Sequence, residues 1–131
     1  MDYGLNITLD RPFHEVVAEV REALAGQGFG VVSEIDMQAT LKNKLDVEIE
    51  PYLIWGACAP QFAHRALQAE PSVGLLLPCN VVIRRNGPAT VVEVINSQMI
   101  AQLANSDAMT LIADEISLKL NNVLDALRVP A

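Results

Sequence analysis

Basic residues are scarce in this chain. Nine Lys and Arg stand against sixteen Asp and Glu in 131 residues, a formal net charge of −7. A surface of that sign gains nothing from the counterions released by nucleic-acid phosphates, and it is repelled by anionic lipid, so neither partner is expected. The only local concentrations of positive charge are Arg84 with Arg85 and Lys42 with Lys44, which are too small for a binding footprint. Also lacking is any run of about 18 apolar residues, so no segment is expected to span a membrane and the chain reads as soluble. The opening Met1-Asp2-Tyr3-Gly4 has neither the basic stretch nor the apolar core of a secretory signal. If Met1 is the native start, this predicts a cytoplasmic protein.

Cysteine is nearly absent too. Cys58 and Cys79 are the only two. They form no Cys-x-x-Cys spacing, which argues against a disulfide scaffold or a standard zinc site and for reduced thiols. There is no Gly-x-Ser-x-Gly elbow and no His-Glu-x-x-His, the motifs of two large hydrolase classes. Gly26-Gln27-Gly28-Phe29-Gly30 follows a helical pattern and leads into a strand pattern, the reverse of a turn that cradles pyrophosphate. Glu34, Asp36, Glu48, Glu50 and Glu93 supply carboxylates, but no two stand at a spacing that places them across a substrate.

What is present is a regular pattern of apolar residues, 51% of the chain by composition. It predicts one domain over residues 1–131, large enough to fold without disulfide or metal. Leu5, Ile7 and Leu9 alternate with Asn6 and Thr8, as in a half-buried strand. Asp10 and Pro12 open a helix carrying Phe13, Val16, Val17, Val20 and Leu24 on one stripe, which Gly26 and Gly28 end. A second strand runs from Phe29 to Ile35, with Phe29, Val31 and Ile35 on one face. Asp36 then caps a short helix with Met37, Leu41 and Leu45 on one side.

Tyr52 to Cys58 reads as a largely buried strand in which Gly56 permits the close approach of another group. Pro60 opens a helix with Phe62, Ala63, Ala66 and Leu67 inward, and Gln61, His64, Arg65 and Gln68 outward. Leu75-Leu76-Leu77 runs into Pro78, which interrupts regular pairing. Strands Asn80 to Arg85 and Ala89 to Ile95 flank an Asn86-Gly87 turn, and Pro88 suggests a sheet edge. The longest helix follows Ser106 and carries Met109, Ile112, Ile116, Leu120, Val123 and Leu127 on one stripe, with Leu111 and Leu118 off it. About five strands and four helices result: an α+β domain whose antiparallel sheet is covered by helices on one face.

Chemistry concentrates at two strand breaks. Gly56-Ala57-Cys58-Ala59-Pro60 puts a thiol between a strand end and a helix N-terminus, where unpaired N–H groups favour thiolate. Pro78-Cys79-Asn80 puts a second thiol beside an amide that both donates and accepts hydrogen bonds. If the breaks meet, Cys58 and Cys79 form a redox pair or a soft-metal site, with His64 as the nearest imidazole. Otherwise both cysteines are small buried hydrophobes and His64 is a solvated surface residue.

The segments Gly56-Ala57-Cys58-x-Pro60, Ala66-Leu67, Glu70-Pro71 and Gly74-Leu75-Leu76-Leu77-Pro78-Cys79-Asn80-Val81-Val82 resemble the prokaryotic family known as domain of unknown function 302. The resemblance extends through Tyr3-Gly4, Phe29-Gly30-Val31, Glu34-Ile35-Asp36 and Ala39-Thr40-Leu41-Lys42, nearly the whole chain. It implies a TATA-binding-protein-like fold, a curved antiparallel sheet with helices packed on one face, commonly as a homodimer, and no established reaction. The net charge argues against carrying over the DNA binding of proteins that share such a sheet. The family's characteristic cluster falls on Gly56, Cys58, Pro60, Pro78, Cys79 and Asn80. Ala59 stands where the family usually has Asn, and Asn96-Ser97 where Asp-Pro often follows the last strand.

Three functional expectations follow. The first is a domain, homodimeric on the family pattern, that binds a small ligand or soft metal near Cys58 and Cys79. A thiol-dependent redox enzyme, with Cys58 attacking and Cys79 resolving, is the second. The third is an interaction module that uses Leu111 and Leu118.

Overall fold

The computed structural model describes residues 2–128; Met1, on which the reading of a native start rests, lies outside them. In chain order the elements are β1 (Gly4–Leu9), α1 (Phe13–Gly26), β2 (Gly30–Asp36), α2 (Met37–Leu45), β3 (Tyr52–Cys58), α3 (Pro60–Ala69), a 3-10 segment (Pro71–Leu76), β4 (Cys79–Asn86), β5 (Ala89–Ile95), α4 (Gln98–Ala104) and α5 (Asp107–Arg128). The strands form one open antiparallel sheet in the order β1-β5-β4-β3-β2. This is the predicted α+β architecture. Among the described residues no helix is long and apolar enough to cross a membrane.

Strand alternation builds the core. Ile7 and Leu9, Trp55 and Ala57, Cys79, Val81 and Ile83, and Val92 and Val94 are buried at every second position, so they share one face of the sheet. Helices α1 and α5 meet that face with Val16, Val20 and Leu24 and with Met109, Ile112, Ile116, Leu120, Val123 and Leu127, all buried. The end of α1 shows how local chemistry sets direction. Gly28 takes φ +82°, and Phe29 N–H and Gly28 N–H donate to the carbonyls of Leu24 and Ala25. That is the Schellman arrangement, and it delivers Phe29 beside Leu24 in the core. Asp36 caps α2 by accepting from Ala39 N–H, and Ser106 caps α5 by accepting from Met109 N–H.

Several expectations change. The hairpin loop is Gly87-Pro88, because Asn86 already pairs with Ala89. Gly87 has φ +61°, fitting the two-residue turn that wants glycine at its first position. Pro88 therefore sits in the turn and marks no sheet edge; β5 lies between β1 and β4. A bulge between Val31 and Ser33 shifts the register of β2. Val31 stays opposite Ala57 on the core face, whereas Ile35 lands opposite Ile54 on the other face and is 48% exposed. One extra residue inverts a period-two pattern. The apolar side expected for α2 buries none of its residues, Leu67 of α3 is exposed, and α4 is an additional helix.

Candidate functional site

Two strand breaks do meet. β3 ends at Cys58, Ala59 turns the chain in extended conformation, and Pro60 starts α3 at the position where its missing N–H costs nothing. β4 begins at Cys79, directly after Pro78, and Cys79 pairs across the sheet with Ala57. Cys58 is thus the chain neighbour of the residue opposite Cys79.

Both thiols line a cavity of about 300 Å³ at this end of the sheet. Its floor is buried: Ala57 and Cys79 from the sheet, Phe29 from the α1–β2 connection, and Ile100, Met109 and Ile112 from the helices above. The space exists because α3 and α5 turn Ala63, Ala66 and Ala113 toward it, where larger side chains would close the gap between two packed helices. Exposed lining residues mark the mouth. They are Val32 and Ser33 of the β2 bulge and Pro78, so the bulge borders the opening.

Gly56 lies beneath Pro78. A Cβ on Gly56 would stand 2.3 Å from Ser33 Oγ and 2.5 Å from Pro78 Cγ, which is the close approach expected of this glycine. Burial pushes the Cys79 thiol up to about 11, and the neighbouring Cys58 adds to the effect. At neutral pH Cys79 is a protonated thiol, which is neither a nucleophile nor a soft-metal ligand until it loses its proton.

The remaining candidates lie elsewhere. His64 is on the exposed face of α3, and Pro60, at the start of that helix, is exposed as well; neither lines the cavity. Asn80 follows Cys79 in β4 and so points to the opposite face of the sheet. There it is exposed and borders a shallow hollow with Tyr52 and Glu93. Among the described residues, no group of three or more His, Cys, Asp or Glu side chains comes together. A metal at Cys58 and Cys79 would therefore draw on two protein thiols only. Val32, Ser33, Ile100 and Ala113 were not foreseen as lining residues. The signal for Ala113 was its small size one position after Ile112 on an otherwise large-residue stripe; a bulge such as that at Val32 leaves no mark in periodicity.

Residues 5–127 match the family Domain of unknown function DUF302. The chain belongs to the DUF302 family. The crystal structure of an uncharacterized conserved DUF302 protein from Bacillus stearothermophilus is similar at 26% identity and a TM-score of 0.90, over 98% of this chain and 100% of that one. No curated protein matches this chain. The DUF302 fold is therefore shared over essentially the full length of both chains, and the cavity lies within the matched residues.

Proposed function

We propose that this DUF302 protein is a binding domain that seats a small molecule in the cavity beside Cys58 and Cys79. The observation that carries this reading is the cavity itself, about 300 Å³ lined by apolar side chains. That is the small end of the roughly 300–1,000 Å³ typical of ligand pockets. Interiors otherwise pack to the density of organic crystals, so a hollow of this size kept open by three alanines favours an occupant. The raised Cys79 thiol supports binding over redox turnover, in which Cys79 would have to act as thiolate. The probe is the neutral dye N-phenyl-1-naphthylamine, followed by fluorescence. Its emission should rise with the native protein and fall away in Ala113→Phe or Ala66→Phe, each checked for folding by circular dichroism. Equal enhancement in wild type and both folded variants sinks the proposal.

Leu111 and Leu118, 64% and 65% exposed on α5 and one heptad apart on the same face, favour a second reading alongside the first: a homodimer whose interface includes this strip. Leu111→Glu with Leu118→Glu should lower the sedimentation coefficient to that of a monomer. No change in sedimentation removes α5 from the interface. A cytoplasmic location belongs to the same reading: the free thiols of Cys58 and Cys79 suit a reducing compartment, and fractionation of cells producing the protein tests it.

A further inference from the structure

The cavity's lining carries information about the charge of what it holds. None of the lining side chains is Asp, Glu, Lys, Arg or His. The arginine of α3, Arg65, is outside the lining and already paired with Glu115 of α5. A carboxylate or ammonium drawn into this space would lose its hydration and find no opposite charge, which is among the costliest events in protein chemistry. Volume sets the bulk. About 300 Å³ is roughly twice the size at which an engineered apolar cavity takes up benzene, room for about two fused rings or an equivalent chain. Polar contact is available only at the opening. Cys79 on the floor is 4% exposed, and its thiol is a weak hydrogen-bonding group, whereas Val32, Ser33 and Pro78 at the mouth are exposed to solvent.

Resting on the binding reading above, we infer that the ligand is an uncharged molecule of about two rings' bulk that enters apolar end first and leaves its polar group in solvent at the mouth. The order of insertion follows from the mismatch at the floor. A hydroxyl or carbonyl pushed down to Ile112 and Met109 would exchange water for carbon and sulfur, while the same group at the mouth keeps solvent as its partner.

Three molecules that share one ring system and differ only in charge test this: 2-naphthalenemethanol, 2-naphthoate and 2-naphthylmethylammonium. Each is titrated into the full-length protein while the amide signals of Ala63, Ala66 and Ala113 are followed by NMR. The alcohol should shift those signals saturably, and both ions should bind at least about tenfold more weakly. Plain naphthalene should bind within about threefold of the alcohol, because a hydroxyl left at the mouth keeps its water. Either ion binding as tightly as the alcohol overturns the uncharged class, and an alcohol bound at least about tenfold more weakly than naphthalene, the mark of a buried hydroxyl, overturns the orientation. In both cases the binding reading survives, because the alcohol and N-phenyl-1-naphthylamine still bind. If neither of those binds, the binding reading fails and this inference with it.

Discussion

The ring of Pro78 closes over Gly56: a Cβ added there would come within 2.5 Å of Pro78 Cγ. Residues from the two strand breaks are in this way locked together under the mouth of the cavity. Gly56→Ala should cost about 1–3 kcal/mol, the usual range for overpacking a filled site. Urea unfolding followed by Trp55, the sole tryptophan and fully buried, gives the number. The added methyl also meets Ser33 Oγ at 2.3 Å, but that hydroxyl can rotate aside and the proline ring cannot. Ser33→Ala in the Gly56→Ala background should therefore recover little. Full recovery would show that Ser33, not Pro78, imposes the glycine.

Cys79 should make the fold sensitive to alkali. Its thiol is neutral in both folded and unfolded chains below the ordinary value of 9.0; the unfolded chain ionises above that, and the folded one only near about 11. The folded state thus holds more protons across this window, and stability falls as pH rises. The gap between 9.0 and about 11 is worth on the order of 3 kcal/mol once fully crossed. Urea midpoints at pH 8 and pH 10.5 should drop further for wild type than for Cys79→Ala, which has no thiol to ionise. Parallel losses in the two proteins would mean that lysines and tyrosines carry the alkaline effect. Alkylation offers a second readout: at pH 8 half-buried Cys58 should label before buried Cys79.

Much of the fold was legible because its elements obey one period each. The stripe from Met109 to Leu127 is buried as its spacing predicts, and Gly56 does permit a close approach. Legibility stopped where a single residue changes phase. The bulge after Val31 turned Ile35 outward and brought Ser33 to the cavity mouth, and nothing in Val31-Val32-Ser33 announces an extra residue. Alternation was also the reason Asn80 parted from Cys79. Adjacent strand residues face opposite ways, so closeness in sequence at Cys79-Asn80 meant separation across the sheet. The cavity stayed out of view for another reason: alanine is the best helix former and draws no notice in a helix, and only the meeting of α3 with α5 makes Ala63, Ala66 and Ala113 a gap.

Arg21 of α1 lies over the indole of Trp55, its guanidinium carbon 4.5 Å from the ring centroid. Trp55 Nε1 is buried and has no hydrogen-bond partner, so the contact with Arg21 is electrostatic attraction to the ring face. Arg21→Ala should cost about 0.5–2 kcal/mol, and Arg21→Lys less, since an ammonium keeps the charge. A loss for Lys equal to that for Ala would assign the effect to packing of the flat guanidinium.

Helix α4 was the element least visible in sequence, and a short polar network ties it down. Ser97, 1% exposed, sits just before Gln98–Ala104. Its hydroxyl lies 2.7 Å from Ser117 Oγ, and Gln98 Nε2 donates to Ser117 Oγ and to Asp114 Oδ1 on α5. α4 spans only seven residues, too few to be stable through its own hydrogen bonds, so it depends on α5. Ser97→Ala removes the bond to half-buried Ser117, which keeps Gln98 as a partner, and should cost about 0.5–1.5 kcal/mol. The loss should be local. Amide exchange in α4 should accelerate while the amides of β4 and β5 keep their protection, because Ile100 and Ala101 hold the helix on the core only as long as the network orients it. Acceleration spread evenly over the whole sheet would instead make Ser97 part of the global core, and α4 would unfold only together with it.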